Sequence, residues 1–413
     1  MAPAPDRPRV LLLTQVLPYP PDSGPKVKTW NLIRCLAQDY EVTLASFVRG
    51  DQTEHLPHLE QYCAAVHTVP LRRGLLRDLW YLGRSLLSHH PFLITRDDRV
   101  AMRRLVARLV AENHFDVVHA DQLNMAQYAA GVEGTRKVLD AHNALWLLYK
   151  RLWDLMPRGV RRVLLGRDWR LLRAYEGQVC ATFDAVLAVT EDDRSALEEV
   201  APSRSRIAVL PIAIDTTELR PLTRQPGANR IVHIGTMYWP PNSDAVLWFM
   251  HHVYPRIRAA WPNVGFDVIG TRPSRSIRKL AEQSPGARVI GYVDDPMPYL
   301  ERAGAFIVPL RAGSGMRVKI LTALAQGLPV VSTRIGCSGL AIESGRHLLI
   351  ADTVEEFADA TLRVLVDRDL ALELGRNGRQ LVETRYDRHV LCPRLLAWYR
   401  SVMQEHDTDE RER

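Results

Sequence analysis

A chain of 413 residues exceeds what one compact core organises and predicts two domains. Its composition, 46% hydrophobic and 24% charged, is that of a globular protein, and it has no run of 18 uncharged apolar residues to cross a bilayer. The formal charge of +7 suits an anionic partner, whether nucleotide, acidic lipid surface or nucleic acid, while five scattered cysteines without C-x-x-C spacing point to a reducing, cytoplasmic setting and no structural metal.

The apolar run Val10–Leu13 soon meets Pro18, Pro20 and Pro21. That pattern reads as a first strand, 9–13, and its loop, not as a signal peptide. The loop PYPPDSGPKVK precedes a helix expected from about Thr29 to Gln38, and its Ser23 and Gly24 are placed for close approach of backbone to a ligand. G-x-G-x-x-G is absent between strand and helix, so this is no dinucleotide fingerprint. Further strands are expected at 41–46, 66–69, 116–119, 137–140, 185–189 and 207–210, with helical segments between most of them. Such alternation predicts a parallel sheet covered on both faces.

Between Leu71 and Leu109 the pattern changes. Leu75, Leu76, Leu79, Leu82 and Leu86 recur at helical spacing with Arg72, Arg73, Arg77 and Arg84 interleaved, and a second basic, aromatic run holds Trp146, Trp153 and Trp169. Two readings stand. Such helices lie on an anionic membrane surface, or they pack their Leu and Trp faces on the sheet and leave the arginines in water, the commoner arrangement. From Pro211 to Arg230 the chain turns polar and proline-rich, the best linker candidate.

Strands restart at 231–234, 264–269, 287–290, 305–310, 329–333 and 348–351, with helices expected at 243–260, 274–282, 317–326 and 354–368. The domains are therefore 1–211 and 228–385, a last helical segment at 386–403 crosses back to the first, and the charged tail 404–413 is expected to be disordered.

The stretch Arg311–Gly336 is the most informative. Gly313, Ser314 and Gly315 form a small-residue turn after an apolar strand, and an amphipathic helix follows that ends at Gly327 with Pro329 beyond. The loop of such a βαβ unit sits at a helix N-terminus, where unpaired N–H groups and the dipole favour a phosphate. Arg317 and Lys319 fall in the first helical turn, where the dipole disfavours cations, and Lys319 is one of only six lysines among 54 basic residues. An anion between them and the loop amides explains both. Two doubly wound sheets place ligands beyond their strand ends. On that logic the loops Gly235–Asn242 and Gly291–Asp295 join the Ser314–Lys319 loop in the second half. The loop around Gly24 and the segments His119–Gln122 and Asp140–Ala144, DAHNA, belong to the first.

The succession IVHIGTMYWPPNSDAVLWF, DVIGTRP, VIGYVDD and VPLRAGSGMRVKILTALAQGLPVVST, preceded by PYPPDSG, LDAHN, VTEDD and VLPIAID, resembles the family 4-type retaining glycosyltransferases of the GT-B fold. It is especially similar to the bacterial subgroup found with exopolysaccharide biosynthesis. The resemblance spans residues 9 to about 402 and implies an α/β fold of two Rossmann-like, doubly wound parallel-sheet domains facing across a cleft. It also implies a metal-independent hexosyltransferase that moves a sugar, with retention, from a nucleotide diphosphate-sugar to a glycan, lipid-linked or small-molecule acceptor. No cofactor beyond the donor and no nucleic-acid partner is expected. The expected place is cytoplasmic, peripheral at the inner face of the plasma membrane if the basic helices touch lipid.

On the same resemblance Arg317 and Lys319 grip the diphosphate. Gly235, Thr236, Asn242, Gly291, Tyr292, Val293, Gly313, Ser314, Gly315, Met316, Val318 and Thr322 complete the donor site, and Ser23, Gly24 and Asn143 form a loop on the acceptor side. Relatives commonly carry two glutamates spaced E-x7-E where this chain has Ser314 and Thr322, and a histidine where it has Asp121. Asp121 then orients the acceptor hydroxyl or accepts its proton, and His142 stands in the cleft or bonds to its own loop. The basic residue often found in the Gly235 loop is missing, with Asn242 the nearest polar substitute. Such departures leave a second function class open, a nucleotide-sugar-binding subunit with weak or no catalysis. Asp294-Asp295 reads as a helix cap and Glu176 as structural.

Overall fold

The computed structural model describes residues 7–203, 205–223, 225 and 227–411, with side chains as far as Gln404. Two compact units emerge: one from the chain's start to Ala213 and from Leu391 onward, the other Ile214–Val390.

The first unit is built on seven parallel strands, β1 (Arg9–Thr14), β2 (Glu41–Val48), β3 (Ala65–Pro70), β4 (Val117–Asp121), β5 (Arg136–Ala141), β6 (Ala185–Ala188) and β7 (Ile207–Val209), in the order β3-β2-β1-β4-β5-β6-β7. Central strands read as continuous apolar runs because both sheet faces are covered. β1 alternates Leu11 and Leu13 into one core and Val10 and Leu12 into another on the opposite face. The helix after β1 spans Gly24–Leu36, five residues earlier than expected, because Ser23 is its N-cap and Pro25 lies in its first turn, where a missing N–H costs nothing. Gly24 is therefore helical and not part of an open loop. The final helix, Arg388–Arg411, lays Leu395, Leu396, Tyr399 and Val402 into the Val10–Leu12 core. It runs through most of the tail expected to be disordered, since Glu and Arg are good helix formers; residues 412–413 lie outside the described chain. Cys35 and Cys392 are disulfide-bonded, a pairing across 357 residues that spacing did not suggest, and Cys63, Cys180 and Cys337 are free and buried.

The second unit has six parallel strands, β8 (Arg230–Ile234), β9 (Gly265–Ile269), β10 (Ala287–Gly291), β11 (Ala303–Val308), β12 (Val330–Ser332) and β13 (Leu349–Ile350), in the order β10-β9-β8-β11-β12-β13. Helix Val318–Ala325 connects β11 to β12, and Val354–Val366 and Arg368–Arg385 follow β13, the latter unforeseen. The polar stretch after Pro211 is no free linker. Thr216 N–H donates to Asp387 at 3.0 Å, Leu222 N–H to the Gln326 carbonyl at 2.9 Å, and Arg379 to the Thr216 carbonyl at 3.0 Å, so it lies along the second unit. Residues 224 and 226 of that predicted linker lie outside the described chain.

The Leu75–Ser88 helix departs most from expectation. Its leucine side faces solvent instead of the sheet. In the second basic run Trp146 is buried and Trp169 packs half-buried against the same core, while Arg162 stacks on Trp153 and Arg170 on Trp169 at 4.2 and 4.6 Å. Among the described residues no helix is long and apolar enough to cross a membrane.

Candidate functional site

In the second unit, strands added on one side of β8 give way to strands added on the other at β11. The loops leaving β8 and β11 therefore diverge and open a crevice at the carboxyl end of the sheet. Three glycines bring backbone to its edge. Gly291, at φ +87°, ends β10 and accepts the Gly270 N–H at 2.7 Å. A Cβ on Gly270 would stand 1.8 Å from the Gly235 carbonyl oxygen, and one on Gly235 would stand 2.8 Å from the Lys319 amine. Side chains are excluded there, and the space goes to the lysine.

Lys319 lies in the first turn of the Val318–Ala325 helix, and its amine donates to Asn242 Oδ1 at 2.9 Å. Asn242 is fixed from behind, its amide nitrogen donating to the Thr236 carbonyl at 3.0 Å. Among the described residues no carboxylate pairs with Lys319. His233, fully buried, has Nδ1 2.9 Å from the Ile307 carbonyl, so Nδ1 carries the proton. Burial, and then the charge of Lys319, keep that ring neutral. Burial first, and Arg317 second, push the Lys319 amine down to about 7. A partly buried ammonium without a carboxylate is costly, and such groups cluster where a ligand supplies the missing charge.

Arg317 behaves differently from the reading of a first-turn cation. It is the N-cap residue, and Nη1 of its guanidinium turns back to the Ser314 carbonyl and, at 2.6 Å, to that of Gly315. It passes so close to Gly313 that a Cβ there would lie 2.1 Å from Nη2. Arg317 thus staples the loop while staying partly exposed beside Lys319. Gly315, at φ +73°, needs glycine's left-handed freedom. Ser314, Met316 and Val318 are buried, so Met316 and Val318 can meet a ligand only through backbone. Thr322 is partly exposed one turn beyond Lys319. Tyr292 is exposed and Val293 partly buried after the edge strand β10, and Asp295 accepts the Met297 N–H at 2.9 Å just ahead of the short Met297–Leu300 helix, whose N-cap is Pro296.

In the first unit the corresponding reversal falls between β1 and β4. Asp121, the last residue of β4, pairs in register with Asp140 of β5. Asp121 is 1% exposed, accepts the Thr29 hydroxyl at 3.0 Å and meets His142 Nε2 at 2.8 Å. Burial would raise its carboxyl, but the charge and hydrogen bond of His142, with Lys28, outweigh it and hold the group below the ordinary value. Asp121 therefore cannot touch an acceptor itself, contrary to expectation. His142, with a side chain 10% exposed, is the end of the pair that reaches solvent. Asn143 beside it is partly exposed, whereas Ser23 caps the Gly24–Leu36 helix, its carbonyl accepting the Val27 N–H at 2.9 Å.

Behind the pair lies a buried network that sequence reasoning missed. Lys28 donates to Asp140, and His119 Nδ1 bonds to the Tyr399 hydroxyl. His119 is driven down to about 4 by burial, and its Nε2 lies 3.8 Å from Asp140, too far for a hydrogen bond. His119, Asp121 and Asp140 form the one cluster among the described residues spaced to hold a metal ion, their ligand atoms within 4.8 Å of one another. The Lys28 ammonium already sits on Asp140 and neutralises it. The loop carrying His142 is pinned by two carboxylates: Asp193 accepts the Ala144 N–H at 2.9 Å, and Glu176 accepts those of Leu145 and Trp146 at 2.8 and 2.6 Å. Glu176 is structural.

Comparison with known proteins agrees with both halves. Residues 23–218 match the family model described as Glycosyltransferase Family 4, and residues 228–367 match Glycosyl transferases group 1. An uncharacterised 44.6 kDa protein of the cps region of Klebsiella pneumoniae is 20% identical over 92% of this chain and 96% of its own length. A GDP-mannose-dependent alpha-(1-6)-phosphatidylinositol monomannoside mannosyltransferase of Mycobacterium tuberculosis is 24% identical over 77% of this chain and 84% of its own. In fold, the chain is similar to Anabaena HepE, solved with UDP and glucose, at TM-score 0.66 and 14% identity over 95% of this chain and 99% of that one.

Proposed function

The chain belongs to the family 4-type glycosyltransferases of the GT-B fold, in the branch that serves glycan assembly, and we propose that it transfers a hexose from a nucleotide diphosphate-sugar to an acceptor hydroxyl with retention and without a metal. One observation carries this reading: the Lys319 amine, partly buried, without a carboxylate partner among the described residues and held by Asn242 at the start of a helix that follows a stapled loop.

The donor's diphosphate lies against Lys319, Arg317 and the amides of the Gly313–Met316 loop, with Thr322 toward the ribose. The bond from C1 of the sugar to the diphosphate oxygen breaks, and a bond from C1 to the acceptor oxygen forms on the same face. The departing diphosphate gains negative charge, which two cations and helix amides stabilise, and its oxygen takes the acceptor's proton. His142 orients the acceptor oxygen by a hydrogen bond and leaves its proton to the diphosphate, and Asp121 is the positioning residue that fixes the ring. The names of the relatives support a hexose on a nucleoside diphosphate without choosing between GDP-mannose and UDP-glucose as starting points.

The test is nucleotide release and donor binding across a panel of nucleotide-sugars. Loss of both on Arg317→Ala with Lys319→Ala is expected, and loss of turnover with retained donor binding on His142→Ala. If no donor binds, or if the double variant keeps full activity, the reading fails. A second reading, a binding subunit without catalysis, is favoured by Ser314 and Thr322 standing where relatives carry glutamates. Tight donor binding without turnover on any acceptor would select it.

A further inference from the structure

The Leu75–Ser88 helix turns its apolar side outward. Leu75, Leu76, Leu79, Trp80 and Leu87 are 55 to 86% exposed and share one helical face, while the only buried residue of the helix is Ser85, whose hydroxyl donates to the His90 carbonyl at 2.6 Å. A folded domain rarely leaves such a stripe in water unless something covers it. A second apolar exposure begins the Val160–Thr182 helix, at Val160 and Val163. The two are tied together, since Arg167, one turn beyond Val163, donates to the Ser85 hydroxyl at 3.2 Å and to the Ser85 carbonyl.

Charge identifies the occupant. Residues 71–88 and 155–163 together hold seven arginines and one aspartate. Arg72, Arg77, Arg158 and Arg161 are exposed and make no ion pair among the described residues. A second copy of the chain would have to bring these like charges together. A surface of lipid phosphates pairs with them while its acyl boundary takes the leucines. At 14 residues the helix is about 21 Å long, too short to cross a hydrocarbon core of about 30 Å, so it lies in the plane.

We propose that the Leu75–Ser88 helix and the start of the Val160–Thr182 helix form a docking surface for an anionic phospholipid bilayer. The apolar stripe sits at the acyl boundary, and Arg72, Arg77, Arg158 and Arg161 sit among the phosphates. This surface stands apart from sugar transfer, and its test needs no donor.

The full chain is sedimented with vesicles of phosphatidylcholine containing phosphatidylglycerol, and with vesicles of phosphatidylcholine alone. Binding to the anionic vesicles is expected, with a blue shift in tryptophan emission that Trp80→Phe diminishes. Leu76→Asp with Leu79→Asp should lower partitioning about tenfold or more. Arg72→Gln with Arg77→Gln should lower it roughly fivefold per arginine and weaken the preference for anionic lipid. All these side chains are exposed or partly so, and circular dichroism should confirm unchanged folding. Absence of binding to anionic vesicles overturns the proposal, as does equal binding by the Leu76→Asp, Leu79→Asp variant. A lipid-free dimer that this variant splits assigns the face to a second copy and overturns it equally.

Discussion

Raising the pH through neutrality should strip the proton from Lys319 long before an exposed lysine would lose it. Holding that proton at about 7 instead of 10.5 corresponds to roughly 5 kcal/mol against the charged form, an upper limit because the amine is only partly buried. A pyrophosphate placed against the amine restores its proton. Below neutrality the lysine is already charged, and donor affinity should be flat. Above about pH 7 each binding event must take up a proton, so affinity should fall by up to about tenfold per pH unit until the bound-state value is reached. A nucleotide-sugar is the right probe, because its pyrophosphate is a diester whose charge stays constant in this range. Isothermal titration in buffers of different ionisation enthalpy measures the proton uptake directly, and Lys319→Met should abolish the pH dependence. The folded-state value lies below the unfolded one, so the unfolded chain binds the extra proton between about 7 and 10.5, and the lysine's contribution to stability rises with pH across that window. Constant affinity from about pH 6 to pH 9, with no proton uptake by the native protein, would refute the placement of the diphosphate on this amine.

Three substitutions probe the framework. Gly235→Ala puts a methyl 2.8 Å from the Lys319 amine, the flexible end of a side chain, so donor affinity should fall while thermal stability changes by less than about 1 kcal/mol. Gly270→Ala meets the Gly235 carbonyl at 1.8 Å with φ at +141°, and should destabilise the second unit by about 3 kcal/mol or more in denaturant unfolding. Glu176→Ala leaves the Leu145 and Trp146 amides without their acceptor and should lower stability by roughly 2 kcal/mol, with turnover falling as the His142 loop loosens; unchanged melting would show that the carboxylate caps nothing.

The strands were legible almost to the residue, because a parallel sheet covered on both faces must be written in unbroken apolar runs. The small-residue loop before the Val318–Ala325 helix was legible for the same local reason, with glycine where backbone must bend. What periodicity does not contain is the side on which a neighbour lies. The Leu75–Ser88 stripe has the spacing of a core helix and faces outward, while Lys28 sits in a proline-rich polar loop pattern and ends buried on Asp140. The Asp121–His142 pair joins two strand ends through the β4–β5 register, and Tyr399 reaches His119 across 280 residues. Such contacts depend on tertiary geometry, and neither residue type nor spacing announced them.

The first unit is assembled from both ends of the chain, whereas the second is one uninterrupted segment, Ile214–Val390. During synthesis on the ribosome the second therefore has all its parts first. The first waits, with the face of its sheet that holds Val10 and Leu12 only partly covered by the Gly24–Leu36 helix and His119 without Tyr399, until the last helix emerges. A premature stop near codon 390 would spare the lysine-bearing unit and leave the histidine-bearing one, some 250 residues upstream, unfinished.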